Sequence, residues 1–166
     1  MKFFSENIED LRTLYTTDLK KALSMEQQIC KALPDMMEKS SDAQLTNALR
    51  THLRESEGHA SKVENLLRQA TGSIDIITCK ALAGLVTEAQ DSIKDAADAN
   101  IRDITIVACA QQVEHHEMAV YGTLRTWANT LGLHNDAIVL ESILNEEKRT
   151  DSLLTGIAES VNLQAV

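Results

Sequence analysis

The feature that most restricts how this chain can fold is a helical period that recurs in four long stretches, each carrying an acid near the middle of its apolar stripe. In residues 107–125, Val107, Gln111, Glu114, Met118, Tyr121 and Arg125 fall on one stripe when successive residues turn by about 100°, and Glu117 lies on its edge beside Ala110 and Ala128. The stretch QQVEHHEMAVY (111–121) therefore sends two carboxylates, Glu114 and Glu117, towards the apolar side of a helix. By the same geometry His116 points the opposite way and His115 flanks the face. An ionised carboxylate brought into a core needs a cation, a proton or a hydrogen-bond partner.

The other stretches repeat the pattern. From about Ile8 to Lys39 the stripe is Leu11, Tyr15, Leu19, Ala22, Glu26, Ile29, Leu33 and Met37, with Glu26 in its middle. Pro34 removes one backbone hydrogen bond, which predicts a kink near Cys30 rather than a second helix. Ser40, Ser41 and Asp42 form a turn and offer a cap to a second helix, from about Asp42 to Gln69. Its inner face carries Leu45, Leu49, His52, Ser56, His59, Ala60, Val63 and Leu67, with Glu55 at the edge, and Gly72 ends it. A shorter amphipathic stretch, roughly Cys79 to Ala96, lacks inward acids and reads as a long crossover of the kind some four-helix bundles contain. The third long helix runs from about Arg102 to Leu131 and is closed by Gly132. The fourth runs from about Asn135 to Ser160 with Ala137, Leu140, Leu144, Glu147, Asp151, Leu154 and Ala158 inside and Glu146 facing out.

Composition agrees with an all-helical fold. One Pro, six Gly, 43% hydrophobic residues and 3% aromatic ones leave little material for strands, which favour β-branched and aromatic residues between frequent turns. At 166 residues the chain fits a single four-helix bundle domain over 1–166, able to bury roughly two thirds of its unfolded surface without staples. A net charge of −9 argues against nucleic acid as a partner. Cys30, Cys79 and Cys109 are odd in number, widely spaced and form no C-x-x-C, which fits buried thiols in a reducing compartment. The N-terminal MKFFSENIEDL is acidic where a signal peptide would be apolar, and no run of 18 apolar residues occurs, so neither secretion nor a membrane span is expected. A cytoplasmic protein is the expectation.

Four helices of similar length packed side by side bring their middles to one level. Glu26, Glu55 with His59, Glu114 with Glu117, and Glu147 would then converge at one depth of the core, where repulsion and desolvation forbid them unless cations or protons are shared. Metal ions are the simplest answer, and an oxygen-rich set with one or two imidazoles suits Fe first and Mn as the alternative, better than structural Zn. Two ions are expected over one, because bridging carboxylates neutralise four to six acids together. Di-iron and di-manganese bundles commonly draw a Glu from each of two helices and Glu-x-x-His from each of the other two. Here Gly58, Glu117 and Thr150 stand where those histidines would be. The chain offers His52-x-x-Glu55-x-x-x-His59, Glu114-x-x-Glu117 and Glu147-x-x-x-Asp151 instead.

The segments MEQQICKALPDM, THLRESEGHASKVE, ACAQQVEHHEMAVYGTLRTWANTLG and ILNEEKRTDSLLTGIA resemble the four helices of the YciF/YciE family of bacterial stress proteins, over nearly the whole chain. The resemblance implies a ferritin-like bundle related to rubrerythrin, a homodimer in the bacterial cytoplasm and a di-metal centre, without an established reaction. It matches Glu26, Glu55, Glu114 and Glu147 to the helix-centre carboxylates of ferritin-like proteins.

The expected metal-site set is thus Glu26, Glu55, His59, Glu114, Glu117, Glu147 and Asp151. His59 reads equally as a ligand or a hydrogen-bonded core histidine, and Asp151 equally as a ligand or not. His52 is expected to orient a carboxylate, and Tyr15, Tyr121 and Trp127 to pack. Two functions follow. One is a di-iron or di-manganese oxidoreductase that oxidises Fe(II) or reduces peroxide, with an unknown redox partner. The other is a non-catalytic structural or binding stress protein that keeps a vestigial metal site.

Overall fold

The computed structural model describes residues 7–165; the first six residues of the segment read above for a targeting signal lie outside it. Among the described residues there are five α-helices and no strand: α1 Leu11–Lys39, α2 Ala43–Thr71, α3 Lys80–Asp95, α4 Ala99–Thr130 and α5 His134–Asn162, followed by a short 3-10 turn, Leu163–Ala165. None of these helices is long and apolar enough to cross a membrane.

Three of the four long helices, α1, α2 and α4, begin where an Asp side chain satisfies a free N–H group, whereas α5 starts after Leu133 without a side-chain cap. Asp10 accepts a hydrogen bond from Thr13 N at 2.7 Å, and Thr13 Oγ1 accepts one from Asp10 N at 3.1 Å, a reciprocal capping box that starts α1 three residues later than the apolar pattern suggests. Asp42 caps α2 through Leu45 N at 2.9 Å. Asp98 caps α4 through Ile101 N at 2.9 Å, so this helix begins at Ala99 rather than near Arg102. Gly72 and Gly132 take left-handed φ values of 75° and 72°, the conformation that lets α2 and α4 stop and the chain turn. Pro34 lies inside α1 without dividing it.

Short links make α1 and α2 one antiparallel hairpin and α4 and α5 another. The two hairpins pair through α1 with α4 and α2 with α5, and α3 lies across α4 and α1 as the long connection. Direction follows from the contacts. Arg102 Nε donates to Lys39 O at 3.0 Å, and the buried Asp103 carboxylate accepts from Ser41 N and Asp42 N, both at 2.8 Å. The start of α4 therefore meets the end of α1. On the other seam, Glu55 meets Thr150 while His59 meets Glu146, so α2 and α5 also run in opposite senses. The crossover returns the chain the length of the bundle, which is why it needs a helix of its own.

The core is layered. Tyr15, Leu19, Leu67, Leu124 and Leu140 pack at one end, and Leu45, Leu49, Ile106 and Leu154 at the other, all essentially sealed from solvent. Each large aliphatic side chain buried this way contributes about 1.5–3 kcal/mol. Between the two apolar layers lies a polar one.

Candidate metal centre

Four helices fill that middle layer. Glu26 comes from α1; His52, Ser56 and His59 come from one face of α2; Glu114, Glu117 and Tyr121 come from one face of α4; Glu147 comes from α5. Spacings of three, four and seven residues keep each set on one side of its helix. Glu26, Ser56, His59, Glu114, Glu117, Tyr121 and Glu147 have no solvent exposure, and His52 almost none.

The ligand-type atoms fall into two groups with one shared member. His52, Glu114, Glu117 and Glu147 form the first, and Glu26, His59 and Glu147 the second; within each, the atoms lie within 4.8 Å of one another. In the first, His52 Nδ1 stands 2.8 Å from Glu114 Oε1, while its Nε2 is 3.6 Å from Glu117 Oε2 and 3.9 Å from Glu147 Oε2. In the second, His59 Nδ1 stands 2.8 Å from Glu147 Oε1 and 3.8 Å from Glu26 Oε1. Glu147 thus turns one oxygen to each group.

The chemistry of this donor set fits metal ions. Of the eight oxygens on the four buried glutamates, only Glu26 Oε1 has a hydrogen-bond partner, the hydroxyl of Tyr121; the other seven have none, and neither do His52 Nε2 and His59 Nδ1. An ordinary core does not leave such groups unpaired, since each costs about 1–3 kcal/mol and more when charged. The pair His59 Nδ1 and Glu147 Oε1 is close without the alignment of an N–H···O bond. Ligands at roughly 2.0–2.2 Å from one ion stand about 3 Å apart, which matches. Charge agrees as well: four carboxylates balance two divalent cations.

Without cations, the layer has to be neutralised by protons. Burial pushes the Glu117 carboxyl up to about 8, helped by Glu147 and opposed by His52, and the Glu114 carboxyl up to about 7, opposed by His52. Burial and then the charges of Glu117 and Glu147 hold Glu26 well above the usual carboxylate range. Burial alone would lower His52 and His59, but Glu114 and Glu117 raise the first and Glu147, Glu26 and Glu146 raise the second.

The outer edge of the layer positions the ligands. His59 Nε2 lies 2.7 Å from Glu146 Oε2, and Lys62 Nζ is 3.3 Å from the other oxygen of that carboxylate. The histidine pair and Lys62 hold Glu146 below the usual carboxylate range despite some burial. Bonded to an anion there, Nε2 carries the hydrogen and Nδ1 presents its lone pair to the core, an arrangement typical of metal-bound histidines.

Five of the seven expected site residues, Glu26, His59, Glu114, Glu117 and Glu147, are brought together. Glu55 and Asp151 are not. Glu55 is half-buried and accepts from Thr150 Oγ1 at 3.4 Å. Asp151 lies at the rim, 3.4 Å from the exposed His115 and 3.5 Å from Gln111 Nε2. Three other expectations change. His52, expected only to orient a carboxylate, stands among the ligand atoms, and its place two turns before His59 on one face was the signal for it. Glu146, expected to face water, is 22% exposed, because the α2/α5 seam lets His59 reach it. Tyr121, expected to pack, is also the hydrogen-bond donor to Glu26. His116 does point away from the bundle core, yet α3 half-covers it.

With this geometry in place, the relationships of the chain are informative. Residues 10–166 match a domain family of unknown function, DUF892. The chain is 34% identical to Protein YciF of Escherichia coli over 161 residues, which cover 96% of this chain and 97% of that one. The crystal structure of the E. coli stress protein YciF superposes with a TM-score of 0.88 at 32% identity, covering 92% of this chain and 97% of the other. YcfI from Rhodopseudomonas palustris, provisionally described as a structural protein, superposes with a TM-score of 0.88 at 36% identity, covering 92% and 98%. The architecture is accordingly a ferritin-like bundle.

Proposed function

The chain belongs to the DUF892 family and resembles the stress protein YciF, and from that premise we propose that it is a di-metal stress protein whose bundle core holds two ions, Fe first and Mn as the alternative. The observation that carries this is the pair of buried ligand groups sharing Glu147, with seven glutamate oxygens left unpartnered. His52, Glu114, Glu117 and Glu147 would hold one ion, and Glu26, His59 and Glu147 the other. Bound Fe or Mn supplies Lewis acidity and one-electron chemistry, the means to oxidise Fe(II) as substrate or to reduce peroxide. The chain's own residues prepare the site. Tyr121 holds Glu26 Oε1 and leaves Oε2 to the core; Glu146 fixes the His59 ring; the apolar layers exclude bulk water. A cytoplasmic homodimer served by a separate electron donor completes the proposal.

The test is elemental analysis of the purified protein, then titration with Fe(II) under air. About two metals per chain and an oxidation-linked absorbance change are expected. A protein that stays metal-free, with an unchanged melting temperature in excess Fe(II) or Mn(II), overturns it.

One observation favours a non-catalytic role in which the site is vestigial: His52 and Glu114, and His59 and Glu147, already approach to 2.8 Å and can share protons. The provisional structural description of the R. palustris relative points the same way. Replacing Glu26 and Glu147 separates the two roles, because a protonated core gains stability from their loss whereas a metal-bound core loses it.

A further inference from the structure

Outside the metal centre, the geometry points to a second reactive site: Cys79 is a hydroperoxide-reactive thiol, oxidised to a sulfenic acid at the cavity between α1, α3 and α4, with His116 as the residue that positions it. This goes beyond the metal reading and does not depend on it.

Cys79 differs from the other two cysteines in four respects. Its Sγ is hydrogen-bonded to His116 Nε2 at 3.6 Å. Its backbone is fastened to α1 on both sides, with its N–H donating to Ser24 Oγ and its carbonyl accepting from Gln28 Nε2, each at 3.2 Å. It occupies the N-cap of α3, a helix of 16 residues, whereas Cys30 and Cys109 lie inside α1 and α4. Finally, Cys79 and His116 both line a cavity of about 580 Å³, together with Met25, Lys80 and Thr123. A hydroperoxide needs only a small part of that space.

Cys30 and Cys109 have none of this. Burial, then the carboxylates Glu26 and Glu57, push the Cys30 thiol up to about 11. Burial and Glu88 raise the Cys109 thiol. Neither is placed to supply a thiolate near neutral pH.

The step balances with a hydroperoxide as the only co-reactant. The sulfur attacks the terminal peroxide oxygen, an S–O bond forms, the O–O bond breaks, and sulfur gives up two electrons. The thiol proton leaves on the departing oxygen, as water from hydrogen peroxide or as an alcohol from an alkyl hydroperoxide.

The experiment treats the full-length protein with hydrogen peroxide in the presence of a cyclic 1,3-dione that traps sulfenic acids, and locates the adduct by peptide mass spectrometry. Cys79 is expected to be labelled at least tenfold faster than Cys30 or Cys109. His116→Phe should slow labelling of Cys79 tenfold or more with the other two rates unchanged, and His116→Gln should recover part of the loss. Equal labelling of all three thiols, prior labelling of Cys30 or Cys109, or no adduct at Cys79 overturns the proposal. Unchanged labelling in both His116 variants overturns the role given to His116. Should His116→Phe melt below the assay temperature, the competition among the three thiols of the unaltered chain decides the question.

Discussion

The apolar layers at the ends of the bundle and the polar layer between them are built from the same four helices yet contribute with opposite sign. Around Leu19, Leu67, Leu124 and Leu140, and again around Leu45, Leu49 and Ile106, every side chain removed from water is stabilising. In the middle, four glutamates and two histidines are equally dry, and a buried unpaired charge costs several kcal/mol. A chain selected for stability alone would continue the leucines through that level. The ends hold the bundle together, and the middle is tolerated because the ends over-determine the fold.

Substitutions should expose this contrast most strongly at the ends. Leu49→Ala, at a position 1% exposed, is expected to cost about 3–5 kcal/mol in denaturant unfolding, with or without added metal. Next in size comes metal itself. Mn(II), or Fe(II) without air, at about a hundred times its dissociation constant should stabilise the chain by about 2.7 kcal/mol, a rise of about 5–10 °C in melting temperature for a chain of this length. Glu147→Gln removes the shared ligand and should abolish that rise while leaving the metal-free protein as stable as before or more so; a preserved rise would break the assignment of Glu147 to both groups.

A pH series sharpens the contrast further. Glu114 and Glu117 have folded-state values pushed up to about 7 and about 8, from an ordinary 4.5, and His52 and His59 are raised from 6.5. A value raised in the folded state means stability that is full below the unfolded value and lost as pH climbs through the folded one. The metal-free protein should therefore melt at lower temperature at pH 9 than at pH 6. With metal bound, the ligands are deprotonated already and the trend should disappear or reverse. The smallest effect is expected from Tyr121→Phe, which removes the hydrogen bond to Glu26 at about 1 kcal/mol and should weaken metal binding more than it weakens the fold.

The helices were legible in the residue pattern because their cause is local. A stripe at 3.6-residue spacing, an Asp or Gly at the right end and the scarcity of strand formers are enough to place α1, α2, α4 and α5 within a few residues. Their starts slipped only where a cap won over the apolar pattern, as Asp10 did over Ile8. The central acids were legible for the same reason: Glu26, Glu114 and Glu147 lie in the middle of an apolar stripe and Glu117 at its edge, and no partner helix is needed to see that they turn inward. Edge positions were less legible. Glu55 and Glu117 both sit about one step off the centre of a face, yet Glu117 is sealed and Glu55 only half-buried. A 100° step does not say how closely the neighbouring helix approaches.

By itself, then, the sequence determined that this chain forms four long helices, one crossover helix and a core interrupted at mid-height by carboxylates, because periodicity and capping are properties of each helix alone. Only the tertiary structure decided which acids share a site. Packing of the helices put His52 of α2 beside Glu114 and Glu117 of α4 across the core, gave His59 both Glu147 and Glu146, and left Asp151 with His115 at the rim. That choice rests on distances between atoms far apart in the chain, as for Glu26 and Glu147, and such distances exist only once the helices are packed.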